Sequence, residues 1–191
     1  MILFKNEQNG YAWDTYHISM GNAKRMYLNA TNAEASATNF LNSVTPTSTY
    51  INSGDAGHTN HSGSSHIAYV FAEKTGFSKF GSYTGNGNAD GTFVYTGFKP
   101  SWVMIKRYDS GTLDWNMYDN KRLGYNGGDA PLFANLSNAE SNDYGRIDLV
   151  SNGFKIRTSN DQLANNGGSF LYMAFAEAPL VTSGNIPATA G

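Results

Sequence analysis

The sequence HTNHSGSSH contains three histidines within nine residues, at positions 58, 61 and 66. A group of imidazoles at such spacing is one way to bind a transition metal. His66 opens a predicted strand, where its side chain points away from the others, so His58 and His61 are the candidate ligands. The Gly, Ser, Thr and Asn residues around them are typical of an exposed loop, and the sequence favours that interpretation over a metal site.

A second oxygen-rich stretch, NGNADG at 86–91, places Asn86, Asn88 and Asp90 at alternate positions before a glycine. This resembles the first half of a calcium-binding loop. Calcium takes about six to eight oxygen ligands, and such loops normally end with a bidentate Glu at the twelfth position. Gly97 occupies that position here, so the sequence favours a hairpin loop and keeps the three residues only as calcium candidates.

Aromatic residues could contact a sugar or a protein surface. Along WNMYDN, the two-residue period of a strand places Trp115 and Met117 on one face and Asn116 and Tyr118 on the other. We expect the face with Trp115 to point to the core, which leaves Tyr118 pointing outward. The predicted ligand contacts are Tyr118, Asn116, Asp119 and Tyr16.

Acidic residues recur at matching places in the chain: Glu73 with Glu177, and Glu34 with Glu140. Glycoside hydrolysis needs two carboxylates about 5–10 Å apart, and nothing in the sequence argues that these acids meet. The sequence also lacks a nucleophile elbow, a P-loop and a dinucleotide fingerprint. We therefore predict a non-enzymatic protein with no catalytic residues and no cofactor.

The composition indicates turn-rich β structure. Charged residues make up 15% of the 191, below the roughly 25% of a typical soluble protein. Polarity comes instead from Asn, Ser, Thr and 21 glycines, and there are 12 tyrosines. A net charge of −2 predicts no nucleic-acid binding, and an apolar run interrupted by Glu177 predicts no membrane insertion. The chain has no cysteine, which excludes disulfides and Cys-ligated zinc.

Some of these candidate residues, namely Tyr16, Asn116, Tyr118 and the four glutamates, lie in segments that occur twice, in the same order. The matching segments are ILFKNEQNGYAWDTY (2–16) with VMIKRYDSGTLDWNMY (103–118), LNATNAEAS (28–36) with ANLSNAESN (134–142), and HIAYVFAE (66–73) with FLYMAFAE (170–177). Ordered matches over three blocks indicate an internal duplication. We therefore predict two domains, a first unit of residues 1–73 and a second unit of residues 74–191.

The second unit contains a full set of short strand candidates, rich in β-branched and aromatic residues and bounded by turn residues. They span 78–85, 92–98, 102–108, 115–120, 146–150, 153–158 and 170–177. Asn152-Gly153 predicts a tight hairpin turn, and NATNAEASATNFLN (29–42) is the best helix candidate. The pattern predicts an all-β protein of tandem antiparallel β-sandwich units, of the jelly-roll or lectin type.

The first unit is predicted to be incomplete. It begins at MILFKN, the equivalent of WVMIKR, and nothing before it corresponds to the first two strands of the second unit. A sandwich that lacks two strands exposes a sheet edge and part of its core. We expect residues 1–73 to borrow strands from an upstream segment, a neighbouring subunit or the second unit.

Several long phrases resemble a repeated domain found near the C-terminal ends of tail-fibre-like proteins of marine bacteriophages and cyanophages. They include FAEKTGFSKFGSYTGNGNADGTFVYTGFKPSWVMIKR, WNMYDNKRLGYN, IDLVSNGFKIRTS and YHISMGNAKRMYLNATNAEA, and together the likeness covers nearly the whole chain. The resemblance implies a β-rich fold and a virion structural or receptor-binding role. It supplies no catalytic residues.

The function expected from this resemblance is that of a virion protein made in the host cytoplasm. Its expected partners are copies of itself, other virion proteins and a cell-surface glycan or protein. A trimer is expected because fibres are usually built so. A purely architectural role in a capsid or fibre shaft is the alternative, and a glycan depolymerase is the third candidate.

Overall fold

The structure is a computed structural model that describes residues 1–54, 57–122, 126, 130–140 and 146–177. Its strands, in chain order, are β1 (Ile2–Asn6), β2 (Asp14–Tyr16), β3 (Lys24–Tyr27), β4 (Ala35–Ser36), β5 (His66–Val70), β6 (Ser78–Thr84), β7 (Phe93–Tyr95), β8 (Trp102–Arg107), β9 (Asn116–Asp119), β10 (Leu132–Phe133), β11 (Ile147–Val150), β12 (Gly153–Ile156) and β13 (Ser169–Phe175). Helical segments are the short α1 (Gly57–Asn60) and α2 (Asp161–Ala164) and a 3₁₀ turn at Ile18–Met20.

In the described part of the chain these strands form three antiparallel sheets, which confirms the predicted all-β fold of the sandwich type. The first sheet has the order β4-β3-β2-β1-β5. The second has the order β10-β9-β8-β13-β6, and the third has the order β11-β12-β7. All seven predicted strands of the second unit are present, and a hairpin joins β11 to β12 as predicted. Its two turn residues are Ser151 and Asn152 instead of Asn152 and Gly153, because Gly153 already pairs with Val150 as the first residue of β12.

Three apolar clusters hold the layers together. One lies between the second and third sheets and contains Tyr118, Phe154 and Phe170. Another joins the second sheet to the first through residues such as Met26 and Trp115. A third covers the remaining face of the first sheet with side chains from the segment that follows β4. The second sheet is therefore the middle layer and is buried on both faces.

The first and second sheets share the same strand register. Ile2 pairs with Tyr16 as Val103 pairs with Tyr118. The other equivalent pairs are Ile2–Val70 with Val103–Ala174, Leu3–Tyr69 with Met104–Met173, and Asp14–Tyr27 with Asn116–Phe133. These are the positions that the sequence alignment sets against each other. The division into units of residues 1–73 and 74–191 stays a prediction, and residues 178–191 lie outside the described residues.

The repeated Asn-x-(Ser/Thr)-Asn-Ala-Glu motif has the same structural role in both places. Asn29 Oδ1 accepts a hydrogen bond from the backbone N–H of Trp13 at 2.9 Å. Asn135 Oδ1 accepts the corresponding bond from Trp115 at 2.9 Å. In the first sheet the motif thus ties the loop before β2 to the turn after β3. In the second sheet it ties the loop before β9 to the turn after β10. Because the bond depends on the first Asn of the motif, this residue has to recur with the tryptophan.

The helix predicted over residues 29–42 is wrong. The segment contains β4, which pairs with β3, and then turns in which Asn42 has a φ of 52°. Phe40 and Leu41, the apolar residues that suggested a helical face, are both fully buried against the first sheet. Tertiary packing of these two side chains outweighs the local helical preference.

Candidate functional site

The outer edge of β5 is unpaired within the described residues, unlike the corresponding edge in the second sheet. Its partner β1 covers one side, and no strand in the described ranges pairs with the other. In the second sheet the equivalent strand β13 is covered on that side by β6 along its full length. The side chains reflect this difference. Ile67, Tyr69 and Val70 are 36%, 46% and 57% exposed, whereas their equivalents Leu171, Met173 and Ala174 are at most 4% exposed.

Successive residues of β5 point their backbone N–H and C=O groups to opposite edges of the strand. Met1 and Phe71 exchange hydrogen bonds of 3.1 and 2.9 Å, and Glu7 N–H donates to Ser65 O at 3.0 Å. In an antiparallel ladder every second residue bonds to the same neighbour. The odd-numbered residues of this stretch therefore bond to β1. The N–H and C=O groups that point to the free edge are those of His66, Ala68 and Val70.

An apolar cavity of about 290 Å³ lies beside this edge, with Ile2, Tyr16, Ile51 and Val70 among its lining residues. In the second sheet the equivalents of three of these residues belong to a closed cluster that includes Val94 and Phe98. These equivalents are Val103, Tyr118 and Ala174. Val94 lies on β7 and Phe98 follows it. The cavity thus marks where the first sheet lacks the cover that β7 and its turn give to the second.

A group of ionisable residues lies at the other end of the same face of the first sheet. The Nδ1 atom of His58 lies 2.5 Å from Oδ2 of the fully buried Asp14, and Arg25 lies 3.5 Å from Oδ1. The imidazole of His58 lies between two tyrosine rings, with centroids 4.4 Å from Tyr11 and 5.9 Å from Tyr27. The contact places the imidazole directly against a buried carboxylate.

The protonation of this pair is set by burial. Burial raises the pKa of Asp14 to about 7, against the opposing effect of Arg25. Burial also lowers the pKa of His58, and the nearby charges of Arg25 and Lys5 lower it further. Both shifts oppose charge on their own group, so burial disfavours a fully charged pair.

The second sheet has amides in the same two places. Asn116 is the equivalent of Asp14, and Gln162 is the second residue of α2 as His58 is of α1. The two helices correspond because α1 packs on β1 and α2 packs on β8. Sequence reasoning missed this contrast, since Asp14 and His58 are far apart in the chain. The alignment of Asp14 with Asn116 was the available signal.

The structure corrects the orientation predicted for the ligand-contact residues. Tyr118, Asn116 and Tyr16 are buried, so the outward orientation expected for Tyr118 is wrong. Because the second sheet is covered on both faces, Trp115 and Tyr118 are both core residues. Only Asp119 reaches the surface, where it pairs with Arg122 at 2.6 Å.

The calcium candidates form a self-contained turn. Asn86 Oδ1 accepts from the N–H of Asn88 at 3.1 Å, and Asn88 Oδ1 accepts from the N–H of Asp90 at 2.9 Å. The carboxylate of Asp90 pairs with Lys155 at 2.8 Å. The three candidate side chains therefore each have a partner, two within the loop and one in Lys155.

The metal candidates His58 and His61 have different partners. The Nδ1 atom of His61 lies 2.9 Å from Ser62 O and 3.1 Å from Ser64 Oγ, away from Asp14. Across the described residues there is no group of three or more His, Cys, Asp or Glu side chains that could hold a metal ion. The Nε2 atom of His66 lies 3.2 Å from Nδ2 of Asn6 and accepts a hydrogen bond from the backbone N–H of His61 at 3.3 Å, so this ring does not point away from His61 as expected.

The repeated acids take part in ion pairs. Glu34 lies 3.4 Å from Lys24, and Glu140 lies 3.5 Å from Arg122. The two strand-end acids pair with lysines, Glu73 with Lys79 and Glu177 with Lys121. These contacts give the four acids structural partners.

Comparison with known proteins identifies the family without a function. Residues 1–179 match the model of a domain of unknown function, DUF7483, and the chain belongs to that family. The match spans both the first and the second sheet. No curated protein and no solved structure shows significant similarity to the chain. Within the described residues no helix has the length and apolar character needed to cross a membrane.

Proposed function

We propose that this protein is a non-enzymatic structural module that assembles by adding a β-strand from a neighbour to the free edge of β5. The observation that carries the proposal is the contrast between β5 and β13. They have the same register against β1 and β8, but within the described residues only β13 has a strand on its other side. The first sheet therefore has an open position of the kind that β6 fills in the second.

The chemistry of β5 supports its use as an interface. Exposed sheet edges are normally protected by charged side chains, prolines or bulges that prevent pairing with another chain. The sequence of β5, HIAYV, has no Lys, Arg, Asp, Glu or Pro. Its exposed residues are aliphatic or aromatic, which favours burial against a partner.

The setting of this assembly is proposed from the sequence resemblance. A virion structural protein, such as a tail-fibre or appendage domain, has to bind copies of itself or its neighbours. A low content of charge and many Asn, Ser, Thr and Tyr residues also suit wet, polar contacts with a cell-surface glycan or protein. A purely architectural protein would use the same edge and would have no further ligand. The ion-paired acids give no support to a depolymerase.

The proposal is tested by placing a charge on the edge. Val70→Lys adds a lysine to an exposed position of β5, and Ser82→Lys is the matched control on the edge strand β6. We expect the native chain to associate with increasing concentration, as measured by native mass spectrometry and light scattering. Val70→Lys should weaken association at least about tenfold, equivalent to ~1.4 kcal/mol, and the control should not. A native chain that stays monomeric at all concentrations contradicts the proposal, as does equal weakening by both variants.

A further inference from the structure

The free edge of β5 is complementary to the same edge of a second copy of the chain. We propose that β5 pairs antiparallel with β5 of a second copy, about a two-fold axis at Ala68, and so joins the two first sheets into one continuous sheet. This inference rests on the proposed assembly function and names its partner and register. Such pairing joins copies in twos, in contrast to the trimer expected from the way fibres are built.

The backbone groups are placed for this pairing. His66, Ala68 and Val70 present their N–H and C=O groups to the free edge, as the ladder with β1 requires. A two-fold axis at Ala68 sets this residue opposite itself and sets His66 opposite Val70 of the second copy. Opposed residues of this type exchange two hydrogen bonds, so the contact has about six.

The side chains also match under the same axis. Ile67 comes to lie opposite Tyr69 of the second copy, and Tyr69 opposite Ile67. An aromatic residue opposite a β-branched one is a favourable cross-strand pair. Both residues are exposed in the single chain, and both point to one face of the sheet. The pairing would therefore bury Ile67 and Tyr69, whose equivalents in the second sheet, Leu171 and Met173, are already buried.

The residue at the centre of the strand decides whether the neighbouring strand can carry a side chain there, and in this respect β5 differs from β13. Gly81 of β6 lies opposite Tyr172 of β13, and a Cβ atom at Gly81 would lie 2.8 Å from Oη of this tyrosine. The strand that covers β13 therefore needs a glycine at that point. Ala68 is the equivalent of Tyr172 in the first sheet, because it pairs with Phe4 as Tyr172 pairs with Ile105. With only a methyl group there, β5 has room for an alanine opposite.

The size of the contact sets its strength. Stable protein interfaces bury about 1,200–2,000 Å² in total, and a pair of five-residue strands with a few apolar side chains falls below this range. We therefore expect a dissociation constant of about a micromolar or weaker for the β5 contact alone.

The absence of cysteine from the chain allows a direct test by cross-linking. Directly opposed residues that share hydrogen bonds have Cα atoms about 5.5 Å apart, within the range of about 4.4–6.8 Å seen in disulfides. The full chain carrying Ala68→Cys should therefore form a disulfide-linked dimer under mild oxidation. Ser82→Cys, on the exposed edge strand β6, is the matched control. We expect at least about tenfold more covalent dimer from Ala68→Cys on a non-reducing gel, and Val70→Lys added to it should suppress the product.

The register is tested by neighbouring cysteines. An equal mixture of Ile67→Cys and Tyr69→Cys chains should form the mixed dimer in preference to either homodimer. A preferred homodimer of Ile67→Cys would move the axis and overturn the inference. An associating chain whose Ala68→Cys variant cross-links no better than the control would also overturn it. That result would assign the edge to another partner strand and would leave strand addition standing.

Discussion

Strands β5 and β13 occupy the same place in two sheets of the same register, yet one is exposed and the other is buried. Val70 and Ala174 illustrate the difference, at 57% and 0% exposure. Both strands are uncharged and rich in apolar residues. What differs is the cover: β13 has β6 on its edge and packed layers on both of its faces. Burial here is decided by the neighbours of a strand, and in the described part of the chain β5 has a neighbouring strand on one edge only.

A second contrast lies on the faces of the same two sheets. The first sheet has the pair Asp14 and His58 where the second has Asn116 and Gln162. These two amides are polar like Asp14 and His58 but do not titrate, and both contact Asp114, at 3.0 and 3.5 Å. The two sheets therefore share a framework and differ in the groups that respond to pH.

The largest expected effect separates the two equivalent tryptophans. Trp115 is fully buried between the first and second sheets, and its indole N–H donates to Tyr27 O at 2.9 Å. Trp13 is only partly buried and stacks on the exposed Tyr69. We expect Trp115→Ala to lower the free energy of unfolding by about 3–5 kcal/mol. Trp13→Ala should lower it by about 1–2 kcal/mol. Urea denaturation measures both values, and equal losses would show that the two sheets are packed alike.

The next effect concerns His17, the equivalent of the surface residue Asp119. His17 is fully buried, and its Nε2 lies 3.0 Å from Tyr172 O. Its Nδ1 accepts from the N–H of Ser19 at 3.2 Å, so the neutral ring satisfies both contacts. Burial lowers the pKa of His17 to about 4, against an ordinary value of 6.5.

The sign of the pH effect follows from this shift. Because the unfolded chain binds the proton more readily, the contribution of the neutral ring to stability is complete above pH 6.5 and is lost as the pH falls to about 4. The loss amounts to at most about 3 kcal/mol. His17→Gln should remove this part of the pH dependence, as followed by the urea midpoint between pH 7 and pH 4.5. An unchanged slope in the variant would show that His17 does not titrate as described.

A smaller effect is expected from converting Asp14 to the residue of the second sheet. Because burial raises the pKa of Asp14 from 3.8 to about 7, its favourable contribution is complete below pH 3.8 and is lost as the pH rises through 7. Asp14→Asn should therefore gain stability relative to the native chain as the pH rises from 4 to 8. We expect a difference of about 1–3 kcal/mol, less than the full shift, because His58 beside the carboxylate favours its charged form.

Asp14→Asn combined with His58→Gln provides the matched control, since it gives the first sheet the amides that the second sheet has at Asn116 and Gln162. Its stability relative to the native chain should also rise with pH, without a charged imidazole left beside a neutral partner. A difference that stays constant from pH 4 to pH 8 in both variants would mean that Arg25 and His58 keep Asp14 ionised throughout.

The sequence predicted the framework well because the framework depends on local patterns. Alternation, turn residues and the internal repeat located the seven strands of the second unit, and they indicated that the first unit lacks equivalents of the first two of these strands. β10 is only two residues long, and α1 and α2 are single turns, so each is too short to show a period of its own.

The site residues could not be predicted in the same way. Alternation separates the two faces of β9 but does not tell which face is covered, and here both are. This is why Tyr118 was placed outward. The contact of Asp14 with His58 depends on how a loop folds back over the sheet, which no local pattern contains. The open edge of β5 and the contact of Asp14 with His58 are both differences between equivalent positions of the first and second sheets.

Amide hydrogen exchange of the native chain tests the central claim most directly, because it reports on the free edge residue by residue. The amides of His66, Ala68 and Val70 should exchange rapidly in dilute solution and become protected as concentration rises, while those of Tyr172 and Ala174 stay protected throughout. Protection of the three β5 amides at the lowest concentration would show that the edge is already covered within the chain. Rapid exchange at every concentration would show that it binds no second copy. Either result would contradict assembly through β5.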